Sequence, residues 1–357
     1  MTSPAQDPQL QGIELLRGVA ALMVLLAHYQ LQFAGRPAWL GFSQTGVDLF
    51  FVLSGFVFGP WLFGRRVDLL PHLLRRLFHI YPLYLVALAA YVALHWAQGQ
   101  PPLYLLDHVF MLHTLSRDVA QHYNAAFWSL PVEVEFYLLL PLLSWFVRHG
   151  AGFGPLLVLA LGLHLAVAGL AGPLAEMGGW AVATFHLSGL LCEFLVGAIG
   201  WYGVRQRPGP AASLLAGAVG GGWLLALAAY THLAAPASGA DPLRTFVAAH
   251  LGLLSALGYA GITVAVVARL QRRPLHAGLV RWTGNLSYGV YLFHNGALTL
   301  LVLAFALQGL PLVAAALLLT LAAAGLGFVA VERPVRQLGR ALAAAVVVQR
   351  SRPPALA

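Results

Sequence analysis

Two ionisable residues eleven positions apart are the first feature of the chain that could do chemistry. Arg17 and His28 both lie in the apolar run 15–34. In a helix, eleven residues make three turns plus about 20°, so both side chains project from one face, ~16 Å apart along the axis. That face would carry a guanidinium near one end and, deeper in, an imidazole able to act as a general base. A membrane anchor for Arg17 and a structural hydrogen bond for His28 are the alternatives.

A carboxylate is expected at a similar depth. Asp48 begins the next apolar run, 44–63, which returns in the opposite direction. A carboxylate that accepts the imidazole N–H of His28 would fix its tautomer and raise its basicity, and we expect this contact. Pairing of Asp48 with a backbone amide or an arginine is the alternative. Ser54, in the same run, is predicted to bond to a backbone carbonyl one turn back rather than to act as a nucleophile.

Basic residues cluster after the second apolar run. They are Arg65, Arg66, Arg75, Arg76 and His79. Guanidinium groups bind phosphates through paired hydrogen bonds, so this cluster suits a soluble donor that carries phosphate. Contact with lipid headgroups is an equally simple interpretation.

Further acids and one histidine fall within later apolar runs. Glu133 and Glu135 are two residues apart and point to nearly opposite faces of a helix, so they cannot both serve one pocket. Glu193 is predicted to be a buried, hydrogen-bonded acid. His294 lies ~15 Å into its helix, near the membrane midplane. Glu332 is expected to form a capping ion pair with the adjacent arginine.

The composition excludes a soluble enzyme and a disordered chain. Of 357 residues, 60% are hydrophobic and 9% charged, against roughly 25% charged in soluble domains. Mean hydropathy is +0.78. All 20 basic residues are arginine and the net charge is +8, which in such a chain indicates helix orientation and lipid or phosphate contact rather than nucleic-acid binding. Without zinc-type spacing of Cys and His, we expect no metal.

Ten segments are long and apolar enough to span a membrane, which predicts an all-α integral membrane protein. They are 15–34, 44–63, 80–97, 128–147, 151–170, 181–203, 212–231, 247–268, 284–305 and 311–331. With both termini cytoplasmic, 17 of the 20 arginines lie inside, and Arg36, Arg117 and Arg244 lie outside. The longest connection, 98–127, is then external. A multi-pass protein of the bacterial inner membrane is the expectation.

Several of these segments together resemble the membrane-bound acyltransferase-3 family. The matching pieces occur in the family's order and span about residues 12–340: Arg17–His28, Gly46–Phe56, Arg75–Pro82, Trp128–Tyr137, Leu286–His294 and Val331–Pro334. Members of this family transfer an acyl group, commonly acetyl from acetyl-CoA, to hydroxyls of glycans, lipids or small molecules. The resemblance implies a single membrane domain over 15–340, between a cytoplasmic segment 1–14 and a short tail 341–357, without a soluble esterase-like domain.

The resemblance also assigns expected roles to individual residues. It implies that Arg17 and His28 form the core of the active site, with Asp48 and Glu133 as further acids. It implies donor binding by Arg75 and Arg76 together with Arg17, and substrate binding by Trp128 and His294. Two positions depart from the family pattern: no acid–glycine pair precedes Arg17, and His79 stands where a third arginine is usual.

The implied reaction brings acyl-CoA from the cytoplasm to His28. The histidine would either take the proton of an acceptor hydroxyl as that hydroxyl attacks the thioester, or carry the acyl group itself. The acceptor is expected to be a carbohydrate or another hydroxyl compound, in contact with a protein embedded in membrane lipid. The main alternative is a transporter whose buried Asp, Glu and His residues relay protons. An inactive structural relative is a third possibility.

Overall fold

The computed structural model describes residues 8–33, 38–176, 185–233 and 241–351. Within these ranges all secondary structure is helical. The long helices are α1 Pro8–Tyr29, α2 Gly46–Val57, α3 Leu69–Ala97, α4 Ser129–Phe146, α5 Phe153–Glu176, α6 Leu187–Arg205, α7 Pro210–Leu233, α8 Leu251–Arg272, α9 Ala277–Phe305, α10 Gly309–Gly327 and α11 Arg333–Ser351. Shorter helices are Ala38–Gly41, Gly59–Leu62, Leu105–Val109, Arg117–Gln121 and Pro242–Ala249.

The ten predicted spans are confirmed in number within the described ranges. The bounds of the candidate spans are 11–32, 39–57, 69–97, 125–149, 153–170, 187–205, 210–232, 251–272, 280–305 and 309–349. They are assigned by length and composition. Of the predicted positions, residues 1–7, 34, 181–184 and 352–357 lie outside the described residues, as does Arg36.

Three differences between the predicted segments and the observed helices bear on the site. The third helix starts at Leu69 rather than at 80, so the basic pair Arg75 and Arg76 lies inside α3. The second segment breaks at Phe58, where a Gly-Pro pair starts a short helix of its own. The last segment continues beyond its predicted end through a π-helical turn, Phe328–Glu332, into α11.

Two glycines set the contact between α2 and α6. A Cβ on Gly55 would overlap the carbonyl oxygen of Phe194, and a Cβ on Gly197 would overlap the carbonyl oxygen of Val52. The two backbones therefore touch, as membrane helices do where small residues meet. Asp48 lies one turn before Val52, and Glu193 lies one turn before Gly197. This crossing therefore brings the two carboxyls to the same level between α2 and α6.

The connection 98–127 is a packed cap rather than an open loop. The rings of His108 and His113 stack at 4.3 Å between centroids, with 2° between their planes. The Tyr84 hydroxyl on α3 donates to the carbonyl of His108 at 2.7 Å, and the Tyr123 hydroxyl donates to the carbonyl of Leu103 at 2.8 Å. Both histidines are buried. Burial lowers the pKa of both, and the charge of His108 adds to this effect at His113, whose pKa falls to about 4.

The stability of this cap is expected to fall in acid. Between pH 6.5 and about 4, the unfolded chain binds a proton at His113 that the folded chain excludes, so the free energy of unfolding decreases as pH falls through this window. The loss amounts to about 3 kcal/mol at most, at ~1.4 kcal/mol per pKa unit. Thermal unfolding of the detergent-purified protein across this range measures it. His113→Gln should flatten the profile, whereas replacement of the exposed His232 by Gln should not. Equal profiles for wild type and His113→Gln would contradict the prediction.

Candidate active site

Two histidines face each other at the end of the bundle where α1 terminates. The rings of His28 and His294 are 4.9 Å apart between centroids and tilted by 60°. The His28 Nδ1 lies 2.8 Å from the carbonyl of Val24, and the His294 Nδ1 lies 2.8 Å from the carbonyl of Tyr291. A carbonyl only accepts hydrogen bonds, so each Nδ1 carries the hydrogen and each Nε2 keeps a free lone pair. Both rings are therefore in the tautomer that a base needs.

A second contact holds this pair of helices together. The Tyr29 hydroxyl, next to His28 in α1, donates to the backbone carbonyl of His294 at 2.7 Å. Tyr29 and His294 are both fully buried, and the His294 Nε2 has no hydrogen-bond partner among the described residues. The free nitrogen of His294 is thus an unfilled acceptor beside the His28 ring.

A cavity of about 520 Å³ opens beside His28 and includes two further predicted site residues, Asp48 and Trp128. Tyr291 also lines it, as do the side-chain amides of Gln30, Gln44 and Gln121. The structure therefore brings together three residues that the sequence placed on three different helices or their ends. The three glutamines were missed because nothing in their spacing distinguishes them from other polar residues at helix ends.

The expected contact between Asp48 and His28 is replaced by two others. The only N–H of His28 is donated to its own helix, and the Asp48 carboxyl contacts the carboxyl of Glu193 on α6. A Cβ on Gly252, near the N-terminus of α8, would lie 2.5 Å from the Glu193 Oε1 and 3.3 Å from the Asp48 Oδ1. Sequence spacing predicts depth in the membrane but not the direction in which a helix turns its face, and that direction decides this contact.

Glu133 connects α2 and α4 in the interior. Its Oε1 accepts a hydrogen bond from the Ser54 hydroxyl of α2 at 3.0 Å and another from the Tyr137 hydroxyl of α4. The prediction that Ser54 bonds to its own helix backbone is therefore wrong. The Glu133 carboxylate of α4 is a stronger hydrogen-bond acceptor than a backbone carbonyl. The charge of Glu133 also acts on Tyr288 and Tyr291, which lie one turn apart on α9.

Glu135 points away from Glu133 and contacts the start of α6, as the two-residue spacing predicts. Its carboxylate accepts hydrogen bonds from the His186 Nδ1 at 2.5 Å and from the backbone N–H of Leu187 at 2.8 Å. The hydrogen bond to this carboxylate raises the pKa of His186. Glu135 thus caps the start of α6 and takes no part in the cavity beside His28.

Cationic side chains gather at the opposite end of the bundle, around His79. The charges of Arg17, Arg76, Arg336 and Arg340 all act on this histidine. The Arg76 guanidinium lies over the rings of Phe58 and Tyr137, at 4.8 and 5.1 Å from their centroids. We call these four arginines the arginine cluster.

The arginine cluster has unfilled hydrogen-bonding capacity. Four buried polar atoms there have no hydrogen-bond partner among the described residues: Arg17 Nε, Arg76 Nε, Glu332 Oε2 and His79 Nδ1, which lies 3.7 Å from the Glu332 Oε1. Buried polar groups are normally hydrogen-bonded, so unfilled atoms in one place indicate a binding site. Arg75, in contrast, is exposed because it is turned by about 100° from Arg76 around α3.

The predicted ion pair of Glu332 involves another arginine. The Glu332 Oε1 accepts from the Arg336 Nη1 at 2.9 Å, whereas Arg333 is exposed. Side chains four apart lie on one face of a helix and adjacent ones do not, which explains the choice. The same spacing could have identified Arg336 from the sequence.

The sequence of the chain matches a known protein family. Residues 10–331 match the acyltransferase domain of the acyltransferase-3 family, and the chain belongs to this family. Its apolar helices are those of a multi-pass membrane protein.

Individual relatives are similar over part of their length. The chain is 29% identical to the O-acetyltransferase OatA of Staphylococcus aureus over 179 residues, 42% of this chain and 26% of OatA. It is also 30% identical to ORF330 of Acidianus two-tailed virus, which is named as a putative acetyltransferase. That match extends over 209 residues, 55% of this chain and 56% of ORF330. The chain thus spans about a quarter of OatA and about half of ORF330. No solved structure matches it.

Proposed function

We propose that the protein transfers an acyl group, most simply acetyl, from a coenzyme A thioester to a hydroxyl of a carbohydrate or similar small acceptor. The observation that carries this proposal is the layout of α1. Arg17 belongs to the arginine cluster, and three turns further on His28 presents a free Nε2 beside a cavity. A donor rich in phosphate and an acceptor with hydroxyls suit the two ends respectively.

The donor's phosphates would bind at the arginine cluster. Guanidiniums hold phosphate oxygens through charge-assisted hydrogen bonds, and the unfilled Nε atoms of Arg17 and Arg76 are available for them. Arg75 would contribute at the exposed rim. Because coenzyme A thioesters are made in the cytoplasm, this end of the bundle would face the cytoplasm, in agreement with the distribution of arginines. The thioester arm would then extend past Glu133 towards His28.

The transfer itself requires one base. The His28 Nε2 takes the proton of the acceptor hydroxyl while the hydroxyl oxygen attacks the thioester carbonyl carbon. The C–S bond then breaks, an ester forms, and coenzyme A leaves as a thiolate that takes up the proton. The neutral His294 ring supplies a lone pair next to the imidazolium that forms transiently. Trp128 would pack against the acceptor as a wall of the cavity.

Thermal unfolding with and without acetyl-CoA tests the proposal. A ligand at ~100 times its dissociation constant stabilises the folded protein by about 2.7 kcal/mol. We expect acetyl-CoA and free coenzyme A both to raise the unfolding temperature of the detergent-purified protein, and acetyl-CoA to be consumed only when a hydroxyl acceptor is present. The absence of any shift with acetyl-CoA, coenzyme A or succinyl-CoA would overturn the assignment of the donor.

A further inference from the structure

A pair of buried carboxyls beside the cavity has no role in the transfer described above. Glu193 is 1% exposed, and neither of its carboxylate oxygens has a hydrogen-bond donor among the described residues. The atoms it meets are those of the Asp48 carboxyl. Asp48 in turn lines the cavity together with His28.

The backbone is built to hold these carboxyls together. The contact between Val52 of α2 and Gly197 of α6 lies one turn away from both acids, and the contact of Gly55 with Phe194 reinforces it. Gly252 allows the N-terminal turn of α8 to approach them within van der Waals distance. A side chain at any of these three glycines would force the acids apart or displace α8.

The chemistry of the pair requires a shared proton. Two carboxylates in contact without a cation cannot both be ionised, so one proton must lie between them. The two acids also act on neighbouring titratable groups. The charge of Glu193 acts on Cys192, and the charge of Asp48 acts on Tyr259. The N-terminus of α8 favours the single negative charge that is left, because the first N–H groups of a helix point towards it.

We propose that Glu193 is a positioning residue, which donates this proton to Asp48 and aims the other oxygen of Asp48 into the cavity to bind an acceptor hydroxyl. A hydroxyl has one hydrogen to donate, and the reacting hydroxyl gives its own to His28. Asp48 therefore binds a second hydroxyl of the same molecule. The acceptor is accordingly a neutral compound with at least two hydroxyls, which also suits the three glutamine amides of the cavity. This inference rests on the proposed function.

Infrared spectroscopy tests the shared proton without any substrate. We expect the purified protein at pH 7 to show the carbonyl stretch of a buried, protonated carboxylic acid. Glu193→Gln should abolish this band, because it removes the acid that carries the proton and leaves Asp48, which lines the cavity, to ionise. Asp48→Asn should shift the band, because the proton of the buried Glu193 loses its carboxylate acceptor. Glu135→Gln is the matched control and should leave the band unchanged, since Glu135 pairs with a histidine. A band that persists in Glu193→Gln, or that does not shift in Asp48→Asn, would overturn the proposal.

Kinetics with two classes of acceptor test the positioning role. With acetyl-CoA as donor, Glu193→Leu should raise the KM for methyl glucoside about tenfold, the effect of a lost hydrogen bond to a charged group, with little change in kcat. The use of ethanol, which has one hydroxyl, should be unaffected. Glu193→Gln, whose amide still donates to Asp48, should restore the KM. An unchanged KM for methyl glucoside in Glu193→Leu would overturn the proposal. Loss of acetyl-CoA binding by the wild type would instead overturn the proposed function, and the infrared result would stand independently.

Discussion

Replacement of His28 by alanine is expected to lower the rate of acyl transfer by about 100- to 10,000-fold, the usual contribution of a general base. The reason lies in its tautomer. The Nδ1–H of His28 is donated to the carbonyl of Val24, so the Nε2 is the basic atom beside the cavity. The measurement is the release of coenzyme A from acetyl-CoA in the presence of an acceptor. Acetyl-CoA should still stabilise the variant, because its phosphates bind three turns away.

Two variants serve as controls for the His28 prediction. His164 is buried and bonds through its Nδ1 to the carbonyl of Gly189, yet it lies outside the cavity, so His164→Gln should retain activity. His294→Gln should lose less than His28→Ala, since it removes the neighbouring ring and not the base. Near-normal turnover of His28→Ala would exclude both direct transfer and an acyl-histidine. Acetylation of His28 by acetyl-CoA alone would favour the acyl-histidine route.

Replacement of Arg76 by glutamine is expected to weaken the binding of acetyl-CoA by roughly 10- to 100-fold. One charge-assisted hydrogen bond contributes about 1.5–3 kcal/mol, and each 1.4 kcal/mol corresponds to a factor of ten in the dissociation constant. Arg76 is held over two aromatic rings with its Nε unfilled, so its guanidinium is already placed to bind a phosphate. Titration with acetyl-CoA, followed by thermal unfolding, gives the constant.

The neighbouring arginine makes the Arg76 prediction specific. Arg75→Gln changes the same charge one residue away, but on an exposed face of α3, and should weaken binding less. Arg205→Gln, whose guanidinium lies over the ring of Trp201 outside the arginine cluster, should not change it. Equal losses in all three variants would mean that net charge alone attracts the donor, and the arginine cluster would not be a specific site.

Short-range spacing predicted several features of the site correctly. The 3.6-residue period separates Glu133, which faces the interior, from Glu135, which caps α6. The same period explains why Glu332 pairs with Arg336 and not, as predicted, with the adjacent arginine.

Contacts between helices could not be obtained in this way. The partner of Asp48 depends on how α2 is rotated against α6 and α8, and that rotation depends on where Gly55 and Gly197 allow the backbones to touch. Likewise, Ser54 bonds to Glu133 because α4 packs against the face of α2 that carries Ser54. These choices involve residues far apart in the chain, so neither periodicity nor local propensity specifies them.

Hydrophobic segments and helical spacing are enough to predict the membrane architecture, the number of spanning helices and the placing of Arg17 and His28 on one face of α1. Hydrophobic length and helical period are local properties of a chain in a bilayer, so they can be obtained from the sequence. Three further features appear only in the folded protein: His294 faces His28, Arg76 is half-buried while Arg75 is exposed, and Asp48 meets Glu193. Each of these depends on the rotation of one helix against another, which is set by close packing between residues distant in sequence.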